Sequence, residues 1–123
     1  MKTPELAGAA LDWAVAKANG MLDRDITVGR ATCKEVVADG IGLVWMLPGI
    51  AWSPTSLWSQ GGPIIEREKI TPYAPAQGDP NWSAFYLQSD RTYYGPTPLI
   101  AAMRCYVASK LGEEVEIPEE LGH

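Results

Sequence analysis

Between Ser56 and Glu68 the sequence SLWSQGGPIIERE sets hydroxyl, amide, guanidinium and carboxylate groups around two glycines. Ser59, Gln60 and the bare amides of Gly61-Gly62 form a candidate cradle for a phosphate or ribose, because backbone N–H groups with no side chain in front of them can close on an anion. Trp52 and Trp58 flank the stretch and offer aromatic faces on which a base can stack. Arg67 and Arg104 are the candidate charges. Arg104 is the odder of the two. It shares a helical face with Ile100, Val107 and Leu111, so its guanidinium lies in or beside an apolar stripe. A cation there needs a partner, which would be Glu66, Glu68 or the anion of a ligand. Tyr94, beside Tyr93, precedes a helix start at Thr97, close to where anions bind well. A structural reading competes with the binding one. In it Gly61-Gly62 permits a turn at positive φ, Pro63 restarts regular structure, Trp58 plugs the core, and an Arg–Glu pair braces the last helix.

The chemistry that is missing narrows the choice. The one histidine, His123, is the last residue, which argues against a histidine-based triad or a multi-histidine metal site. Cys33 and Cys105 do not make a paired zinc motif and read as free thiols packed as small apolar groups. There is no phosphate-binding lysine loop, and GIGLVW lacks the third glycine of a dinucleotide fingerprint. Asp23 and Asp25 read as a solvated acidic pair rather than a magnesium site. A carboxylate enzyme would have to use Glu66 and Glu68, which share a face in a strand and diverge in a helix. The expectation is therefore no catalysis, no cofactor and no metal.

A net charge of −5 argues against a general nucleic-acid binder, which needs a basic face. Much of that excess sits in GEEVEIPEELGH, and the rest of the chain is near neutral. An anionic small molecule can still bind where a few arginines converge. With 46% apolar and 20% charged residues the composition is that of a soluble globular protein. No apolar run nears the ~18 residues of a membrane span, and no apolar N-terminal signal with basic flanks is visible. The reading places the chain in the cytoplasm of a host cell, where the sequon Asn81-Trp82-Ser83 is irrelevant.

Helix signals frame the chain. TPELAGAALDWAVAKANG has Thr3 to cap, Pro4 at the first turn and Gly20 to stop, and predicts a helix over about 3–19. TPLIAAMRCYVASKLG repeats that grammar with Thr97, Pro98 and Gly112 and predicts a helix over about 97–111. Between them DITVGRATCKEVV, IGLVWML and NWSAFYLQS read as strands, with Gly40 and Gly42 at a turn. Residues 48–63 read as irregular chain. PIIEREKI fits either a short helical turn or an edge strand, and DRTYYGP reads as a turn. The fold class expected is α+β, a small antiparallel sheet packed with two main helices. Residues 1–112 form the domain, and 113–123 an acidic extended tail outside the core.

WSPTSLWSQGGPIIEREKI (52–70) and GPTPLIAAMRCYVASKLGEEVEIPEEL (95–121) together resemble the NinX-like family of small phage proteins, and the opening TPELAGAALDWAVAKANG fits the family's usual start. The resemblance covers roughly half of the chain and says little about residues 21–51. It departs from the family at Leu57, where an acidic residue usually precedes the tryptophan. It implies phage or prophage origin and no mechanism. By analogy with small oligomeric phage proteins that sequester host immune nucleotides, the function expected is non-catalytic binding of a small nucleotide-like molecule. The site would comprise Trp52, Trp58, Ser59, Gln60, Gly61, Gly62, Arg67, Tyr94 and Arg104. The alternative is a protein-interaction module that inhibits or redirects a host protein through its aromatic surface and acidic tail. A homo-oligomer is expected, with the helix 97–111 near the interface, because so short a chain has little room to enclose a ligand.

Overall fold

The computed structural model describes residues 2–20, 26–28, 31–33, 36–38, 44–46, 50–86 and 91–117. Asp23, Asp25, Gly40, Gly42 and His123 lie outside the described residues, as does the side chain of Cys33. The chain is α+β. Its helices are α1 (Gly8–Ala18), α2 (Trp58–Glu68) and α3 (Pro98–Leu111). Its strands are β1 (Ile26–Val28), β2 (Ala31–Cys33), β3 (Val36–Ala38), β4 (Val44–Met46), β5 (Ile50–Ala51), β6 (Ile70–Tyr73), β7 (Trp82–Tyr86) and β8 (Thr92–Gly95). All pairings are antiparallel: β1-β2, β3-β4-β5 and β6-β7-β8.

α3 is the axis of the molecule. Its start follows the local signal, with the Ile100 amide donating to Thr97 Oγ1 at 3.1 Å and Pro98 in the first turn. It stops at Gly112, whose φ of 90° a glycine adopts freely. Leu99, Ala101, Ala102, Met103, Cys105, Tyr106 and Val107 are all buried, so α3 is covered on most sides. α1 and α2 pack on it, and the sheet β6-β7-β8 covers another flank. α3 is therefore mostly covered within the chain, with only Ser109 and Lys110 exposed along it.

The register of the sheet sorts its side chains by period two. Ile70, Ala84, Tyr93 and Gly95 share the buried face, while Tyr73 and Tyr94 stand exposed on the other. Tyr73 stacks on Phe85 across β6 and β7 with centroids 5.4 Å apart. Pro72 is tolerated because β6 is an edge strand. DRTYYGP is thus mostly strand β8 rather than a turn, since pairing with β7 supplies the hydrogen bonds that a turn would have closed locally.

Two helix expectations change. Residues 3–19 are not one helix. A 3₁₀ turn, Thr3–Glu5, is followed by an extended link at Leu6 and Ala7, and α1 begins at Gly8 with φ 56°. Long-range bonds hold the break open. The Thr3 amide donates to Glu113 O at 2.8 Å, Thr3 Oγ1 donates to Gly112 O at 2.7 Å, and Arg104 Nε donates to Leu6 O at 2.8 Å. The second change is α2. SQGGPIIERE is helical despite two glycines and Pro63, because Gly61, Ile64 and Ile65 turn toward α3 and burial outweighs poor propensity.

Of the acidic segment, residues 113–117 are described. They run extended but are not apart from the body: Lys2 and Glu114 form an antiparallel bridge, and Val115 is 5% exposed against the core. An apolar residue placed beside the N-terminal turn gains by burial what the surrounding glutamates would gain from solvent.

One carboxylate is buried where α1 meets the chain leading to α2. Asp12 is 5% exposed, its Oδ1 accepts from the Thr55 amide at 3.0 Å, and its Oδ2 accepts from Ser53 Oγ at 3.4 Å. Trp52 Nε1 donates to the backbone carbonyl of Asp12 at 2.8 Å. Burial pushes the Asp12 carboxyl up from 3.8 to about 6, against the pull of the bonds from Thr55 and Ser53. The folded state then holds this proton more tightly than the unfolded chain. Its stabilising contribution is complete below pH 4 and is lost as pH rises through 6. Asp12→Asn, which keeps the acceptor for Thr55, should abolish that slope. Comparing urea unfolding of the parent and Asp12→Asn from pH 4 to 7 should show a relative gain for the variant of about 2–3 kcal/mol at the upper end. Parallel pH profiles would rule the assignment out.

Candidate functional site

Two clefts lie side by side over β8 and one flank of α3. The larger, of about 620 Å³, takes Arg67 and Lys69 from the end of α2, Tyr86 from β7, and Ser109 and Lys110 from α3. The smaller, of about 500 Å³, takes Pro4 from the N-terminal turn, Thr92 and Tyr94 from β8, and Arg104 from α3. Arg91, Tyr93 and Glu113 line both, so the clefts adjoin across a common wall.

The shared wall is a fixed polar cluster. Tyr93 Oη donates to Glu113 Oε1 at 2.6 Å, and Arg91 is paired with the same carboxylate. Burial, and then the Glu113 charge, raise the Tyr93 hydroxyl above its usual range, so it stays a donor. In the larger cleft Glu68 lies between two cations, with Arg67 Nε at 2.8 Å and Lys110 Nζ at 3.3 Å. The hydrogen bond from Arg67, and then Lys110, hold its carboxyl below the ordinary range. A carboxylate so held is a poor general base. Glu66, two residues before Glu68 on α2, is exposed. Cys105 lines the same cleft, but burial pushes its thiol up to about 12, which leaves it a neutral packing group.

Arg104 differs from the other two arginines among the described residues. Arg67 and Arg91 each have a carboxylate, whereas Arg104 donates only to carbonyls: Nε to Leu6 O at 2.8 Å and Nη1 to Tyr94 O at 2.7 Å. The Arg–Glu brace expected from sequence does not form at Arg104: Glu68 is engaged by Arg67 and Lys110, and Glu66 is exposed. Burial alone shifts Arg104 below the usual guanidinium range. It is a half-buried cation facing a cleft with no anion of its own.

The sequence-derived site residues are scattered by the fold. Tyr94 and Arg104 meet in the smaller cleft and Arg67 lines the larger. Trp52, Trp58, Ser59, Gln60, Gly61 and Gly62 line neither. Trp52 is in the core at 4% exposed, whereas Trp58 opens α2 at 55% exposed and does not plug the core. Gln60 Oε1 accepts from the Ser53 amide at 2.6 Å and closes the turn before α2. Ser59 faces solvent on α2. The amides of Gly61-Gly62 are not a cradle, because they sit inside the helix; the Gly61 amide donates to Leu57 O at 2.9 Å. Lys69, Arg91, Lys110 and Glu113 were not anticipated. Arg91 before the tyrosine pair was the nearest local signal, but nothing in the sequence joins it to Glu113.

Arg67 is also a brace. Its Nη2 donates to Asn19 Oδ1 at 2.9 Å and to Tyr106 Oη at 3.0 Å, and its guanidinium lies 5.7 Å from the Tyr106 ring centre. The Arg67 side chain is 50% exposed, so Arg67→Ala should cost only about 1 kcal/mol of stability. Thermal melts check this, and a loss near that of a core truncation would mean that the three-helix junction depends on it.

No described helix is long and apolar enough to cross a membrane. No curated protein matches the chain. A family model does match it, over residues 2–110, and is described as Bacteriophage P22, NinX. The chain belongs to this NinX family of phage proteins.

Proposed function

We propose that this NinX-family protein binds a small anionic, nucleotide-like molecule in the paired clefts and holds it without converting it. The observation that carries the reading is Arg104, a half-buried guanidinium with carbonyl partners only that lines a cleft. An anion there completes the charge pairing of Arg104. Across both clefts Arg67, Lys69, Arg91, Arg104 and Lys110 stand against Glu68 and Glu113, a local cation excess on a chain of net charge −5. Neither Glu68 nor Cys105 is poised for base or nucleophile work, which favours holding over turnover.

The ligand class proposed is a host defence-signalling nucleotide, on the analogy of phage proteins that sequester such signals. The purified protein is incubated with extract from defence-activated cells, washed, heat-released, and the released fraction identified by mass spectrometry. Recovery of a nucleotide from the parent but not from Arg104→Gln supports the reading; an empty fraction from both removes it. The clefts are open on one side, and a second copy laid over them would close them, so a homo-oligomer belongs to the same proposal. Light scattering that gives a monomer at micromolar concentration removes that part.

One observation favours the interaction module instead. Leu57 and Trp58 are 41% and 55% exposed, side by side and away from the clefts. Trp58→Ala should leave nucleotide retention unchanged. A loss of retention would place Trp58 in the ligand site.

A further inference from the structure

We propose that the ligand carries two separated anionic groups and bridges the two clefts, one group on Arg104 and the other on Lys69; this rests on the nucleotide-binding reading above. Among the cations lining the clefts, Arg67 and Lys110 share Glu68, and Arg91 is paired with Glu113. Arg104 and Lys69 have no carboxylate among the described residues. They line two adjoining clefts, one each, with the Arg91–Glu113 pair and Tyr93 on the wall between them. Arg104 and Lys110 bound the clefts from the same helix, six residues and therefore about 9 Å of axis apart. A single phosphate can satisfy one of these clefts but not both.

The backbone at Lys69 is a second, independent sign. Lys69 closes α2 in the left-handed region at φ 57°, ψ 43°, the only non-glycine at positive φ among the described residues. Glycine is the usual residue at that position of a helix end, and a β-carbon there is unfavourable. A lysine kept where glycine would be more stable is a charge placed at the expense of the fold. A dinucleotide has the required chemistry: two phosphates joined through a sugar.

Equilibrium dialysis with mass-spectrometric quantification would use a pool of 5′-phosphorylated dinucleotides of all base combinations and the matching pool of nucleoside monophosphates. At least one dinucleotide should bind tenfold or more tighter than its monophosphates. Lys69→Gly should raise the melting temperature and lower dinucleotide affinity at least fivefold, a larger loss than it causes for any monophosphate. Arg104→Gln should weaken both. Equal binding of mono- and dinucleotides would overturn the bridging and leave the nucleotide reading standing. Full dinucleotide affinity in Lys69→Gly would overturn the assignment of Lys69. Retention of nothing from either pool would overturn the nucleotide reading and the bridging with it.

Discussion

Gly61→Ala should destabilise the protein by about 3 kcal/mol or more, while Gly62→Ala, one residue on, should stabilise it by about 0.5–1 kcal/mol. A β-carbon on Gly61 would overlap Pro54 O and stand 2.7 Å from Leu99 Cδ2. The first contact is with backbone, so relief requires α2 to move away from both the preceding turn and α3. That movement would also unseat Ile64, which is 3% exposed in the same interface. On Gly62 the same atom would meet only Trp58 Cε3, at 3.8 Å. Alanine there keeps the ordinary gain of helix propensity over glycine. Urea unfolding of the two variants reads the difference directly. A neutral Gly61→Ala would show that α2 does not pack as described, and would reopen the reading of the glycine pair as a flexible loop.

Arg104→Ala should cost about 3 kcal/mol, and Arg104→Lys should recover only part of it. The guanidinium fork spans two carbonyls from distant parts of the chain, Leu6 O and Tyr94 O, and so ties the N-terminal turn and β8 to α3. Truncation leaves two acceptors without a charged donor, and bonds from charged donors contribute about 1.5–3 kcal/mol each. A lysine supplies the charge but not the planar fork. In a domain of this size the expected fall in melting temperature is roughly 10 °C. Hydrogen exchange should localise the loosening to Leu6–Gly8 and to β8. A loss below about 1 kcal/mol would show that Arg104 is held for a ligand alone and does not support the fold.

These two positions show why part of the site was legible and part was not. Arg104 stood out in the sequence because a cation on a stripe with Ile100, Val107 and Leu111 demands a partner. Spacing along one helix establishes the demand but not the identity of the partner. The carbonyl of Leu6 is 98 residues away. The glycine pair stood out for its composition, yet glycine serves both a loop that closes on an anion and a helix that approaches its neighbour closely. Only the distance to Pro54 and Leu99 separates those uses. Tyr94 was read beside a turn, and pairing with Ser83 on β7 placed it on the open face of a sheet instead.

The sequence by itself determined the features written within a few residues of one another. Thr97, Pro98 and Gly112 bound α3, WSAFY forms a strand, and the NinX family is carried in the motif around residues 58–68 and in the last helix. The tertiary structure decided the rest. It made a helix of SQGGPIIERE by giving Gly61 and Ile64 a surface to pack on, and it split the first helix by drawing Leu6 to Arg104 and Thr3 to Gly112 and Glu113. It also gathered Lys69, Arg91, Arg104 and Glu113 from separate parts of the chain around two adjoining clefts. Capping and alternation are short-range preferences that a local stretch of chain already satisfies. Close approach, charge pairing and cleft shape depend on residues that meet only when the chain has folded.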